Sequence, residues 1–251
     1  MDILSITIML LIGVFGGFIS GLVGIGGAII IYPAILLLPP LFGAPTYSAY
    51  IASGLTSSQV FFSTLSGSIS ARKKPEFSPQ LVINMGGGMI LGSTLGALLA
   101  NLFNAAFINI IYIMIAVMAL ILMFIKVNPT SQSTQFNRPL LILVGLIIGM
   151  ISGIVGAGGA FIIIPILLVL FRLPMNTVVA NSIFIAFVSS IGAFVIKFIQ
   201  GYIPITDAIF LIIGSILFAP LGLKAGNKVP SFVQKWIISI LIVIAIMQLI
   251  I

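Results

Sequence analysis

From Ile3 to Ala71 the chain runs 69 residues without a formal charge, and from Phe77 to Ile125 it runs another 49. About 20 apolar residues, or roughly 30 Å of helix, suffice to cross a bilayer. Each stretch therefore holds several spans. A soluble domain carries charge on about a quarter of its residues; here the share is 5%, with 61% hydrophobic. The chain is read as an all-α integral membrane protein, multi-pass in the cell membrane, whose first partner is the lipid bilayer.

The side chains that are missing exclude most chemistry. The chain has no cysteine and no histidine, and its acids are Asp2, Glu76 and Asp207 alone. Disulfides, thiolate or zinc centres, a nucleophile-histidine-acid triad and paired carboxylates all need residues that are absent. The expectation is no enzyme, no metal and no cofactor, leaving a transporter, a channel or a structural membrane subunit. The net charge of +7 is read as a topology signal rather than as a nucleic-acid footprint. Asp2 in place of a basic n-region, and an apolar stretch without a clear cleavage site, predict that the N-terminal segment belongs to the mature protein.

Charges, prolines and polar clusters place membrane segments at about residues 3–38, 46–70, 80–101, 104–125, 139–171, 175–198, 205–223 and 233–251. Residues 3–38 as one helix would extend about 54 Å, far beyond the hydrocarbon core. The long segments either tilt as ordinary helices or break. The break is the reading taken, because a glycine-rich motif recurs in both. Gly17-Phe-Ile-Ser20-Gly21-Leu-Val-Gly24-Ile-Gly26-Gly27 returns as Gly149-Met-Ile-Ser152-Gly153-Ile-Val-Gly156-Ala-Gly158-Gly159, and Pro33 and Pro165 keep the same offset. Gly88, Leu95-Gly96 and Asn101 match Gly214, Leu221-Gly222 and Asn227. The expected organisation is a first membrane repeat at 1–126, a cytoplasmic linker at 127–138 and a second repeat at 139–251, each a Gly-rich broken or re-entrant hairpin followed by three transmembrane helices.

Basic residues favour cytoplasmic loops. The loop Arg72-Lys73-Lys74 of the first half corresponds to an uncharged-by-Lys/Arg loop, Gln200–Asp207, in the second; the uncharged loop near Asn101 corresponds to one carrying Lys224 and Lys228. Placing nine basic residues inside leaves only Lys197 near the outer face. That pattern predicts two inverted-topology repeats, an architecture common in secondary transporters, with both termini outside.

Gly24-x-Gly26-Gly27 and Gly156-x-Gly158-Gly159 are the sharpest candidate elements. Adjacent glycines suit an unwound turn followed by a new helix, whose N-terminal amides and dipole hold an anion without a buried base. Small-residue packing is the alternative, and it is the preferred reading for Gly17, Gly21, Gly149 and Gly153. The next segment is polar for a bilayer helix: Thr56, Gln59, Ser63, Ser66 and Ser70 share one face. Such side chains either join helices or donate to an oxyanion. Ser53, Gln59, Asn181 and Ser182 are taken as binding residues because they lie nearest the level where both hairpins could meet. Lys197 either attracts an anion in an outer vestibule or snorkels to the interface, and snorkelling is the expectation. Absence of Asp, Glu and His from the predicted spans disfavours cation and metal carriers.

The two motifs with their following prolines, together with Ala52-Ser53-Gly54 and Ala180-Asn181-Ser182, resemble the TauE/SafE family of sulfite and organosulfur-anion exporters over nearly the whole chain. The resemblance implies a permease that carries sulfite, sulfoacetate or a related small anionic substrate, mostly outward. The leading reading holds that anion near the midplane between the two helix breaks and exposes it alternately by rocking of the halves. A passive anion channel and a non-transporting membrane subunit remain as alternatives. Oligomeric state is left unknown.

Overall fold

Both long apolar stretches break where their glycines cluster. The computed structural model describes residues 3–24, 26–71, 75–125, 137–156 and 159–250, and among them it contains ten α-helices and no strand. Residues 127–136 of the expected linker, the Arg72–Lys74 cluster and Gly158 lie outside the described residues. Helix α1 (Ile3–Val23) ends at Gly24; α2 (Ala28–Leu41) starts after Gly27; α6 (Arg138–Val155) ends at Gly156; and α7 (Ala160–Val169) starts after Gly159. Gly24, Gly26, Gly27, Gly156 and Gly159 all hold φ between 68° and 80°, a left-handed conformation that a Cβ disfavours. At 14 and 10 residues, α2 and α7 are too short to cross the core.

The other helices are α3 (Ala49–Ala71), α4 (Pro79–Leu99, continued by a 3-10 turn), α5 (Ala105–Phe124), α8 (Met175–Ile199), α9 (Ile205–Gly226) and α10 (Ser231–Ile250). Their starts follow local chemistry: Ser78, Asn104 and Asn137 cap α4, α5 and α6 by accepting from Leu81, Phe107 and Leu140 N–H groups, which satisfies amides that a helix start leaves free. Seven helices, α1, α4, α5, α6, α8, α9 and α10, are long and apolar enough to cross a membrane. They turn Phe15, Ile83, Leu91, Ile110 and Met114 outward, a surface suited to lipid and not to water. Helix α3 is the exception in composition. Its Ser53, Thr56, Ser57, Ser58, Gln59, Ser63 and Thr64 are fully buried, so its polar groups face protein rather than hydrocarbon.

Two glycine seams fix the packing. Gly13, Gly17 and Gly21 of α1 lie against the backbone of Leu211, Ser215 and Ala219 of α9. On the other seam Gly88, Gly92 and Gly96 of α4 lie against Ile142, Leu146 and Met150 of α6, with Gly145, Gly149 and Gly153 facing back onto Met85, Met89 and Ser93. Lipid is as apolar as leucine, so close backbone approach and dispersion must hold such helices together. Both pairs ascend together and are parallel. Helix α3 runs parallel to α1, with Gln59 near Gly16 and Ser63 at Ser20, and antiparallel to α8, with Gly54 at Tyr202 and Gly67 at Ile183. Helix α8 ascends with α4, Gly86 at Val188 and Gly192 at Thr94. In consequence α1 and α6, which carry the same motif, point in opposite directions, and each is seamed to a helix of the other half.

Pro33 sits inside α2 and has no N–H to offer the carbonyl of Ile29. The Tyr112 hydroxyl donates to that carbonyl instead, and the Tyr112 ring stacks on Tyr32 with centroids 5.0 Å apart. Tyr112→Phe therefore leaves a buried carbonyl without this donor. The expected cost is about 1–3 kcal/mol, read as a lower melting temperature in detergent; an unchanged melt would show that the carbonyl is satisfied otherwise.

Candidate functional site

The first glycine turn lies against the second half. Gly24 O accepts a hydrogen bond from Ser182 Oγ of α8 at 2.9 Å. The chain then steps back so that Gly27 rests on the Gly16 carbonyl of α1. Gly27 is the N-cap of α2, with no side-chain cap, so Ala28 and Ile29 have no amide acceptor within their own helix. Beside it is Gln59 of α3: a Cβ on Gly27 would stand 3.3 Å from Gln59 Nε2. Both amide atoms of Gln59 are buried and lack a hydrogen-bond partner. Orphaned buried amides are costly. A helix N-terminus and an unpaired amide donor thus share one spot, with Ser20 Oγ and Ser63 Oγ bonded to each other at 3.1 Å nearby.

The second turn repeats the backbone but not the chemistry. Gly156 lies on Ser53 of α3, whose Oγ is buried and unpartnered. Gly159 caps α7, yet its neighbours are the Met89 methyl, Ile148 and Ser152 Oγ, and Ser152 already donates to Gly149 O. In the register that pairs Ser53-Gly54 with Asn181-Ser182, the position of Gln59 is taken by Phe187, which stacks on Phe61 at 5.6 Å. Only the first turn carries the amide.

Depth separates the turns. Gly24 meets the stretch of α8 that faces Gly67 of α3, whereas Gly156 meets Ser53, about 20 Å away along α3 at 1.5 Å per residue. This corrects the expectation that both hairpins meet at one level. Their new helices do start close in depth: Gly27 stands at Gln59 and Gly159 at Met89, levels within about one turn of each other by the α3/α8 and α4/α8 registers.

Of the other predicted residues, Gly26 is buried in the first turn and Ser182 holds that turn to α8. Asn181 stands apart. Its Nδ2 donates to Glu76 O and Thr177 O, and its Oδ1 accepts from Ser78 N, so its whole amide pins the loop before α4 onto α8. Beside it a polar cleft of about 280 Å³, lined by Glu76, Asn176, Val179, Asn227 and Gln234 among others, reaches Val179, whose carbonyl would lie 3.1 Å from a Cβ on Gly24. Lys197 departs from the snorkelling expectation. It is fully buried, and its Nζ has no hydrogen-bond partner.

The family model described as sulfite exporter TauE/SafE covers residues 9–249. The chain belongs to the TauE/SafE family. Among its relatives, the probable membrane transporter protein YunE of Bacillus subtilis is 25% identical, over 98% of both chains. A probable membrane transporter protein of Methanocaldococcus jannaschii is 25% identical over 98% of this chain and 96% of its own, and one of Haemophilus influenzae 24% identical over 96% and 97%. No solved structure matches. As a TauE/SafE member with seven spanning-length helices, the protein is a multi-pass membrane transporter.

Proposed function

We propose that this transporter exports a small sulfur-containing anion, sulfite or sulfoacetate being the model substrates, and that the anion binds at the start of α2. The single observation that carries this reading is the buried, unpartnered Gln59 amide beside Gly27. An oxyanion accepts hydrogen bonds from several directions; the amides of Ala28 and Ile29, the positive end of the α2 dipole and Gln59 Nε2 supply donors without a buried base. Gly24, Gly26 and Ser182 shape and fix that turn. Ser53, Gly156 and Gly159 form a second polar break on the path, and Asn181 acts through the loop it holds. Family membership supports the substrate class, since the family is named for sulfite export.

The two halves, 1–126 and 139–251, act as inverted-topology repeats with both termini outside, a reading supported by the opposed directions of α1 and α6. The polar cleft at Glu76 and Gln234 is then the cytoplasmic approach to Gly24. Alternating exposure does not part the halves as rigid bodies, because both glycine seams join one half to the other. With the interior negative, outward movement of one negative charge gains about 2.3 kcal/mol per 100 mV.

Uptake of sulfite, sulfoacetate, thiosulfate and sulfate into vesicles carrying the purified protein tests the proposal. Saturable, competing flux of a sulfur anion is expected; unsaturable currents would indicate a channel, and no flux of any of the four would overturn the reading. Orientation has its own test, since the chain lacks cysteine. A cysteine at exposed Ala106 is expected to react with an impermeant thiol reagent outside intact cells, and one at exposed Lys228 to resist it. The reverse result would overturn the topology.

A further inference from the structure

Among the described residues Lys197 is the one basic side chain that is fully buried. Its Nζ has neither hydrogen bond nor ion pair. What Lys197 does have is the face of Tyr202, 5.5 Å from Nζ to the ring centroid. A cation–π contact returns only part of what burying an uncompensated ammonium costs. A protonated Lys197 finds no counter-charge among the described residues.

The surroundings of Lys197 are built and polar. Tyr202 stacks on Tyr50 with centroids 5.4 Å apart, and its hydroxyl donates to Asn101 Oδ1 at 2.9 Å. Gln200 donates Nε2 to Ala97 O at 3.2 Å, leaving its Oε1 buried and unpaired. The Tyr202 carbonyl abuts Gly54, next to Ser53 with its unpartnered Oγ and the Gly156 turn. Lys197 therefore marks the same end of the α3/α8 pair as the second glycine turn. From Ser53 to Gln59 is about 9 Å along α3, one step for a small anion.

We propose that Lys197 Nζ is a second binding group for the transported oxyanion, at the Ser53–Gly156 end of the bundle and covered by the Tyr202 ring. The inference rests on the anion-transport reading and extends it from one station to two. An ionisable side chain held within a membrane bundle marks a pathway when its partner travels, and an arriving oxyanion supplies the negative charge that Lys197 lacks. The neutral donors at Gln59 then hold the anion at depth, and Lys197 takes it over at the outer end.

The test is thermal melting of the purified full chain in detergent, with sodium sulfite, thiosulfate or sulfate against sodium chloride, for the native protein, Lys197→Met, Lys197→Arg and Gln59→Leu. Lys197→Met is expected to fold at least as stably as the native chain without anion, because an apolar isostere removes an unpaired charge. Its oxyanion-dependent rise in melting temperature is expected to shrink by half or more, while Lys197→Arg keeps it. In the flux assay Lys197→Met is expected to raise the half-saturating anion concentration on the outer side by about tenfold or more. An undiminished oxyanion effect in Lys197→Met, or no oxyanion effect in the native chain, overturns the inference. Saturable native flux that is lost in Gln59→Leu but unaltered in Lys197→Met would leave the transport reading standing and remove the second station alone.

Discussion

Gln59→Leu is expected to give a folded protein whose sulfite flux at low concentration falls by about 10- to 100-fold, the effect of losing one hydrogen bond to a charged partner at about 1.5–3 kcal/mol. Folding is spared because the amide makes no hydrogen bond within the protein, and leucine of similar volume removes a buried polar group that has no partner. Gln59→Glu sharpens the experiment. It keeps the shape and sets a negative charge at the start of α2, where an incoming anion is repelled, so flux is expected to fall further than with leucine. Both variants are checked by the same vesicle assay, with melting in detergent as the control for folding. Native flux in both would remove Gln59 from the site.

The fold was legible where one residue type dictates backbone geometry. Charge-free length demanded spans, and the glycine pair Gly26-Gly27 demanded a break, since their φ values of 71° and 74° are disfavoured with a side chain. The end of α2 was less legible: Pro39 and Pro40 read as a stop, yet the helix continues through both to Leu41, because a proline in the last turn weakens that turn and leaves the turns before it in place. Gly17 and Gly21 could be read as packing glycines, but their partner could not. That α1 takes α9, and α4 takes α6, depends on matching stripes across the whole bundle.

The site was legible at the level of residue type and not of pairing. Gln59 stood out as an amide on a polar helix face. Asn181 stood out for the same reason, and only its three backbone partners distinguish a side chain already satisfied from one without a hydrogen bond. Lys197 was misjudged because a lysine two residues before a helix end ordinarily reaches water. Here Gly201, at φ 75°, turns the chain so that Tyr202 folds back over the ammonium, and the side chain is closed in. The inequality of the two turns was foreshadowed by Ser53-Gly54 against Asn181-Ser182, but its main term is Gln59 against Phe187, which becomes visible only once Gly27 and Gly159 are seen with their neighbours.

Gly21→Leu is expected to abolish the folded transporter, whereas Gly87→Ala, also at a helical glycine, is expected to be harmless. A Cβ on Gly21 would fall onto the Ala219 carbonyl and within 2.7 Å of Leu223 N. Backbone cannot give way as a side chain can, so α1 and α9 must part, and parting them forfeits the close contacts that Gly13 and Gly17 make along the same seam. Overpacking costs about 1–3 kcal/mol where side chains alone adjust, occasionally more; a displaced backbone seam belongs at the upper end. A Cβ on Gly87 meets nothing within 4 Å, so alanine there adds helix propensity of up to about 1 kcal/mol. Gly88, the next residue, faces the Ile142 carbonyl, and Gly88→Leu is expected to fail as Gly21→Leu does. Yield of monodisperse protein and melting temperature in detergent separate these outcomes. If Gly21→Leu and Gly88→Leu melt with the native chain, the seams do not hold the bundle; if Gly87→Ala fails with them, glycine is needed in α4 for its backbone freedom rather than for the closeness of α6.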